Sequence, residues 1–204
     1  MNLPTRKLPL TTTRLALLLA LCSCAALSAC GSRDSTPQVT STPNPRQVNV
    51  DIAIKDAPGP FDSMAATAYY DVGNIDCAPT RPISGAQLGP RKSLSVELRQ
   101  TGPHQYEATM PINPFVDQDY YGLGVCHWRV VALTVKGTRL KRTFSAMLPG
   151  DELLGSGSFA TYFQKQSYLD AATPMDVPGV HNLNRFASPG DAFSINISAR
   201  EARK

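Results

Sequence analysis

Apolar and polar residues alternate along most of this chain, and the alternation predicts short β-strands. Residues 48–55 read VNVDIAIK, in which every second position is valine or isoleucine, the period of a strand with one buried face. The same pattern predicts further strands over residues 93–99, 105–110 and 193–197. Strands are also expected over residues 64–72, which are rich in alanine, over 126–135, which are apolar on both faces, and over 139–148, where no clean apolar face is present. Turn residues separate the strands without strand–helix alternation. The expected fold is therefore mainly β, a single antiparallel β-sandwich or barrel, immunoglobulin-like by analogy.

Local features refine this prediction. Thr101-Gly102-Pro103 is expected to join the strands on either side of it as a hairpin, and Lys136-Gly137-Thr138 to do the same. Residues 126–135 are apolar on both faces, which is typical of a central strand. Apolar residues at helical spacing over residues 159–169, behind Ser158 as an N-cap, predict one short amphipathic helix.

The amino-terminal residues form a different kind of pattern. Residues 1–14 contain three basic residues and no acidic one, and residues 15–29 are apolar, rich in leucine and uncharged. This order is typical of a secretory signal peptide. The apolar run is shorter than the roughly 20 residues that a transmembrane helix needs, so a permanent membrane span is the weaker alternative.

The signal ends in Leu27-Ser28-Ala29-Cys30, which resembles the lipobox of bacterial lipoproteins. In that family the cysteine becomes the new amino terminus and carries a thioether-linked diacylglycerol and an amide-linked chain such as palmitate. The resemblance implies lipidation of Cys30, and several acyl chains anchor a protein far more firmly than one. Gly31 and Ser32 stand where an aspartate would favour the inner membrane, so the family pattern implies the outer membrane, facing the periplasm. Ordinary cleavage that leaves Cys30 as a free thiol is the remaining alternative.

These features divide the chain into three parts. Residues 1–29 are the signal peptide, residues 30–47 the lipidated cysteine and a tether, and residues 48–204 a β-rich globular domain. The tether is rich in Ser, Thr, Pro and Gln, and Val39 is its only large apolar residue, so it is expected to be disordered. Loss of the signal lowers the net charge from +4 to +1, which removes the basic excess that would favour a nucleic-acid partner.

Cysteine usage predicts one disulfide. Only Cys77 and Cys126 remain in the domain once the signal has left and Cys30 is lipidated, and two thiols in an oxidising compartment are expected to pair. A zinc site is the alternative, but His127 and Cys126 point to opposite faces of a strand, and the sequence contains no second metal-ligand pair.

The sequence offers little sign of catalysis. Glu97 and Glu107 would suit a glycan hydrolase, but both fall on the polar faces of strands. Asp117-Gln118-Asp119 is only a fragment of a calcium loop. No nucleophile elbow is present, and none of the three histidines has a partner that marks it as a base. We expect no catalytic residue, no metal site and no cofactor.

One loop stands out because it is dense in aromatic and acidic residues. Its members are Phe115, Asp117, Asp119, Tyr120 and Tyr121. Tyrosines supply rigid contact area and carboxylates supply electrostatic steering, so this loop is the candidate surface for binding a protein partner. A second cluster, Tyr69-Tyr70-Asp71, is expected nearby if the disulfide forms. The alternative is that the tyrosines pack the rim of the sandwich.

Signal, lipobox, tether and compact domain together resemble the general plan of immunity lipoproteins, which neutralise secreted antibacterial effectors. That resemblance implies a lipid-anchored periplasmic module that captures a protein partner. A structural or assembly lipoprotein of an envelope or secretion complex is the alternative, and an envelope hydrolase is the weakest of the three hypotheses.

Overall fold

The computed structural model describes residues 37–155 and 157–202, and in these ranges it contains ten β-strands and two short α-helices. The strands are β1 Gln47–Lys55, β2 Ser63–Val72, β3 Arg91–Val96, β4 Arg99–Gly102, β5 Gln105–Pro111, β6 Trp128–Arg139, β7 Arg142–Pro149, β8 Ser158–Gln164, β9 Met175–Pro178 and β10 Ala192–Glu201. The helices are α1 Gly150–Leu154 and α2 Lys165–Leu169, and short 3-10 turns lie at Ile75–Cys77, Leu183–Arg185 and Pro189–Asp191. The mainly β fold predicted from the sequence is confirmed.

The strands form two open sheets of five strands each. The first has the order β4-β5-β1-β10-β8 and the second β3-β2-β6-β7-β9. Neighbouring strands are antiparallel except β7 and β9, which are parallel. The strands β1 and β10, from opposite ends of the described chain, pair at the middle of the first sheet, and β6 is the central strand of the second, as its two apolar faces predict.

The core lies on the facing sides of the two sheets. In β1 every second residue from Val48 to Ile54 is buried, and the same alternation buries one face of β2, β5 and β7. The largest fully buried side chains are Tyr70, Phe144, Phe163, Phe193, Ile52, Met110, Leu133, Leu148, Leu153, Ile195, Ile197 and Val50. Burial of these faces is the dominant force that holds the sheets together.

The predicted hairpin about residues 101–103 is shorter than expected. β4 and β5 do pair around it, but β3 pairs with β2 in the other sheet. The apolar stretch of residues 93–99 is thus two strands, because the chain crosses from one sheet to the other at residues 97–98. Each sheet receives only a short segment of the predicted strand.

The turn predicted at residues 136–138 is wrong. These residues lie inside β6, and the chain turns after Arg139 instead, where Leu140 has φ 48°. Gly137 serves close packing: a Cβ there would lie 2.9 Å from the ring of Phe61 and 3.0 Å from the sulfur of Met64. Glycine at this position therefore lets side chains approach the strand backbone.

The helix predicted over residues 159–169 is wrong in its first half. Ser158–Gln164 is strand β8, and only Lys165–Leu169 is helical. Phe159 and Phe163 pair with Ile197 and Phe193 of β10. Pairing with β10 places both phenylalanines on one face of a strand, with Phe163 buried and Phe159 partly buried, and this overrides the helical spacing.

The ordered chain begins before Val48. Residues 40–46, here called the strap, run beside the β5–β6 loop, residues 112–127. Backbone amides of Thr42, Val116 and Ile112 donate to the carbonyls of Pro114, Thr40 and Arg46 at 2.8, 2.9 and 2.9 Å, and Ser41 forms an isolated β-bridge with Phe115. The sequence predicts a disordered tether over residues 30–47, but its residues 40–46 pair through their backbone with the β5–β6 loop, although they have little apolar surface to bury.

The targeting features lie outside the described residues. The predicted signal peptide, residues 1–29, and Cys30 are not among the residues that the structure describes. In the part that the structure describes, no helix is long and apolar enough to cross a membrane.

Candidate functional site

The predicted disulfide is confirmed. Cys77 and Cys126 are bonded, with their Cα atoms 5.2 Å apart. Both are buried, and together with Val72 they form a small cluster separate from the main core. The disulfide of immunoglobulin domains joins two sheets through the core, whereas this one ties the 3-10 turn after β2 to the residues that lead into β6. It thus fastens the β5–β6 loop to the end of the second sheet.

Asn74 adds a second tie between the same two segments. Its side-chain amide donates to the carbonyl of Val125 at 2.7 Å, and its Oδ1 accepts from the amide of His127 at 2.7 Å. One side chain therefore satisfies backbone groups on both sides of Cys126. Disulfide and amide together hold this end of the loop in one position.

Asp119 organises the tip of the loop. Its Oδ1 accepts hydrogen bonds from the amides of Tyr121, Gly122 and Leu123 at 3.2, 2.7 and 3.1 Å. Gly122 and Gly124 have φ of 73° and 112°, which glycine adopts without strain. Desolvation raises the pKa of Asp119, but the backbone donors, which include Gly124, lower it by more, so the pKa lies below its ordinary value.

Asp117 joins the loop to the start of β6. Its Oδ1 accepts from the amide of Trp128 at 2.8 Å, and its Oδ2 lies 2.8 Å from Nδ1 of His127. Both partners of this contact are well exposed, so it adds little stability. The bond to the backbone positions Trp128 at the point where the strand begins.

Trp128 contacts two of the aromatic residues of the loop. The ring of Phe115 lies 4.8 Å and the ring of Tyr120 6.3 Å from it, centroid to centroid. Its indole N–H donates to the Tyr120 hydroxyl at 3.1 Å, and that hydroxyl donates to the carbonyl of Val116 at 2.6 Å. Phe115 and Tyr120 therefore shape the loop from within, in agreement with the alternative of tyrosines that pack the rim.

In the second predicted cluster, Tyr69-Tyr70-Asp71, one tyrosine is buried in the core and the other faces solvent. Tyr70 is buried, its ring lies 5.6 Å from that of Phe115, and its hydroxyl donates to the carbonyl of Pro111. Burial raises the pKa of Tyr70. Asp71 pairs with Arg129 at 2.9 Å, and only Tyr69 faces outward, 40% exposed.

Three apolar side chains face solvent at or beside the loop tip, together with the polar Gln118 and Asp119. Leu123 is 55% and Val125 45% exposed, and Ile75, in the turn that the disulfide holds against the loop, is 41% exposed. Tyr121 is half-buried beside the disulfide, and desolvation raises its pKa. Sequence reasoning missed Ile75, Leu123 and Val125. A signal was available in the sequence: each of these apolar residues lies within three positions of a cysteine and directly beside a Gly or Asn, which favours an exposed turn.

The sequence-predicted loop residues are thus brought together at one end of the sandwich. Tyr120 and Tyr121 pack against the disulfide cluster, Asp119 accepts from the amide of Tyr121, and Phe115 and Asp117 both contact Trp128. This arrangement presents a preformed surface that combines apolar side chains with carboxylates. Among the described residues no group of three or more His, Cys, Asp or Glu side chains is placed to hold a metal ion. Comparison of the chain with protein-family models, with curated proteins and with solved structures finds no match.

Proposed function

We propose that this protein is a lipid-anchored binding module of the bacterial cell envelope that captures a protein partner through its β5–β6 loop. The lipobox at Cys30 supports anchoring, and the residues after it favour the outer membrane, facing the periplasm. A secreted antibacterial effector is the partner that the plan of an immunity lipoprotein favours.

The observation that carries the proposal is the preformed tip of the loop. A disulfide, the Asn74 bridge and the Asp119 turn hold it in place, while Leu123 and Val125 remain about half exposed. Exposed apolar side chains on a rigid loop favour binding, because little conformational entropy is lost when a partner covers them. Tyr121 beside them adds an aromatic anchor of the kind enriched in interfaces.

Site-specific photo-crosslinking in the envelope of the host tests this proposal. A photoreactive amino acid replaces Leu123 in one variant of the full chain and Leu169 in a matched control. Leu169 is 65% exposed and lies on α2, outside the loop. A crosslinked product of defined mass from position 123 but not from position 169 is the expected result.

The identity of the crosslinked protein separates the two functions. A secreted enzyme supports immunity, and a component of an envelope or secretion complex supports the assembly alternative. With the partner in hand, Tyr121→Ala is expected to speed dissociation, because interface anchors act mainly on the off-rate, and Asp119→Asn to slow association by removing a steering charge. Equal crosslinking from both positions, or none from position 123, would contradict the proposed surface.

A further inference from the structure

A cleft of about 290 Å³ lies beside the loop, between the strap and α1. Its apolar lining comes from Trp128, from the buried residues Ile112 and Val130, and from Leu154, which is 54% exposed. This volume lies near the lower end of the range for ligand clefts, about 300–1,000 Å³, and an apolar lining with a few polar groups is their usual composition. The cleft is therefore large enough for one apolar side chain.

The polar side chains at the rim of the cleft offer hydrogen-bond donors. Arg46 is exposed, and within the described residues its guanidinium forms no hydrogen bond or ion pair. Asn113 accepts the amide of Arg46 at 2.6 Å through Oδ1, so its side-chain NH₂ is directed away from that bond. Arg129 also lines the cleft, but its charge is compensated by Asp71. Arg46 and Asn113 thus provide donors without an acid among the lining residues.

We propose that this cleft binds an organic anion that carries an apolar group, as found at the free carboxy terminus of an apolar peptide. The side chain of the ligand packs against Trp128 and Leu154, and its carboxylate accepts from the Arg46 guanidinium, which suits carboxylates because of its planar fork of donors. The site is separate from the exposed loop tip, although Trp128, which lines it, also packs against Phe115 and Tyr120 of the loop. It does not depend on the proposed capture of a protein partner.

Two other clefts are less suited to such a ligand. The one on the outer face of the first sheet, about 540 Å³, has two arginines that already pair with acids, Arg99 with Glu107 and Arg200 with Asp51. Glu97 adds a further negative charge to its lining. The other, about 800 Å³, shares Arg46 and Asn113 with the proposed site but also contains Glu201. A carboxylate in it would meet a like charge, so the anion is placed on the Trp128 side.

Fluorescence provides a direct test, because Trp128 is the only tryptophan of the chain and lines the cleft. The purified full-length protein is titrated with N-acetyl-leucine, with N-acetyl-leucinamide and with hexanoate, and calorimetry confirms each affinity. We expect saturable binding of the two carboxylates and at least tenfold weaker binding of the amide, about 1.4 kcal/mol. Tighter binding of N-acetyl-leucine than of hexanoate identifies a peptide terminus as the source, and the reverse order identifies an alkyl carboxylate.

Variants locate the site. Arg46→Ala is expected to weaken carboxylate binding about tenfold, and Leu154→Asp to abolish it, since the new charge would repel the anion. Arg185→Ala removes an exposed arginine from a 3-10 turn outside the cleft and should leave binding unchanged. Far-UV circular dichroism and the thermal midpoint confirm that each variant is folded. Equal binding of acid and amide, or unchanged binding in both folded cleft variants, would overturn the proposal.

Discussion

Removal of the disulfide is the perturbation whose effect the structure specifies best. Cys77 and Cys126 lie 49 positions apart in sequence. In the chain-entropy model a loop of this length restricts the unfolded chain by about 4 kcal/mol at 25 °C. A typical domain is stable by about 5–15 kcal/mol. Loss of the cross-link is therefore expected to remove a large part of the free energy of unfolding.

The choice of replacement matters because both cysteines are buried, at 2% and 0% exposure. Serine would place two hydroxyl groups in a cluster built around Val72, and unpaired buried polar groups carry their own cost. The double variant Cys77→Ala/Cys126→Ala avoids the cost of buried hydroxyl groups. It leaves a small cavity instead, which is expected to lower the free energy of unfolding by about 1–2 kcal/mol. The double alanine variant is expected to lose about 5 kcal/mol in total.

Urea unfolding of three species separates the two contributions. The oxidised protein minus the reduced protein gives the effect of the cross-link, and the reduced protein minus the alanine variant gives the effect of packing. Trp128 fluorescence and far-UV circular dichroism both report the transition. The oxidised protein should also show the smallest m-value, since its unfolded chain exposes less surface.

The reasoning is refuted if reduction costs less than about 1 kcal/mol while the m-value stays unchanged. That result would mean that other contacts already restrict the unfolded chain or that the native bond opposes the fold. It would also weaken the argument that the disulfide holds the loop tip in place.

Three further predictions concern other parts of the fold. Gly150→Ala should destabilise the protein by about 1–3 kcal/mol, because the new Cβ would collide with a backbone carbonyl of β6. Gly190→Ala is the control, since a Cβ there meets nothing within 4 Å. Equal urea midpoints for the two variants would contradict the predicted collision. Asp119 has a lowered pKa in the folded state, so its ionised form stabilises the protein above the unfolded-state value of about 3.9. The excess stability of the wild type over Asp119→Asn should shrink as the pH falls below about 4, and a constant difference in urea unfolding would be evidence against it. Deletion of the strap should speed amide hydrogen exchange in the β5–β6 loop relative to the undeleted chain, whereas exchange in β8 should stay unchanged. Unchanged exchange in the loop would show that the strap does not protect it.

Strands with one buried face could be predicted from the sequence, because their period of two is a direct consequence of burial. β1 is an example. The central position of β6 was predicted from the apolar residues on both of its faces, and the disulfide from the count of cysteines left in the domain. These predictions depend on local pattern or on elimination. Neither needs knowledge of which strands pair.

Predictions that depend on pairing were less reliable. Phe159 and Phe163 are four residues apart, a spacing that fits both a helix face and a strand face, so only their neighbours in β10 decide between the two. Gly137 has the composition of a turn, yet its function is to admit the ring of Phe61, a residue distant in sequence. In β6 the register shift opposite Tyr69 and Tyr70 places Val131 on the outer face, which alternation alone does not reveal.

The side-chain contacts of the candidate loop could not be predicted from local sequence either. Its aromatic and acidic composition marked the segment, but composition does not show that Tyr120 bonds to Trp128 or that the strap pairs with Phe115. Such contacts join residues that are separate in sequence. Composition could therefore mark this segment as a candidate, but it could not show that Phe115 and Tyr120 pack inward against Trp128.

The internal bonds of the two aspartates bear on the kind of partner that the loop suits. Asp119 accepts several backbone hydrogen bonds, and Asp117 accepts from a backbone amide and lies beside a histidine ring. A carboxylate that is already solvated by its own loop gains less from a partner's cation, because the new bond must replace an existing one. Leu123 and Val125 are about half exposed and lose only water on contact. Under the proposed function, the partner is therefore expected to present an apolar patch to the loop tip, with its cations at the rim, where they affect the association rate more than the affinity.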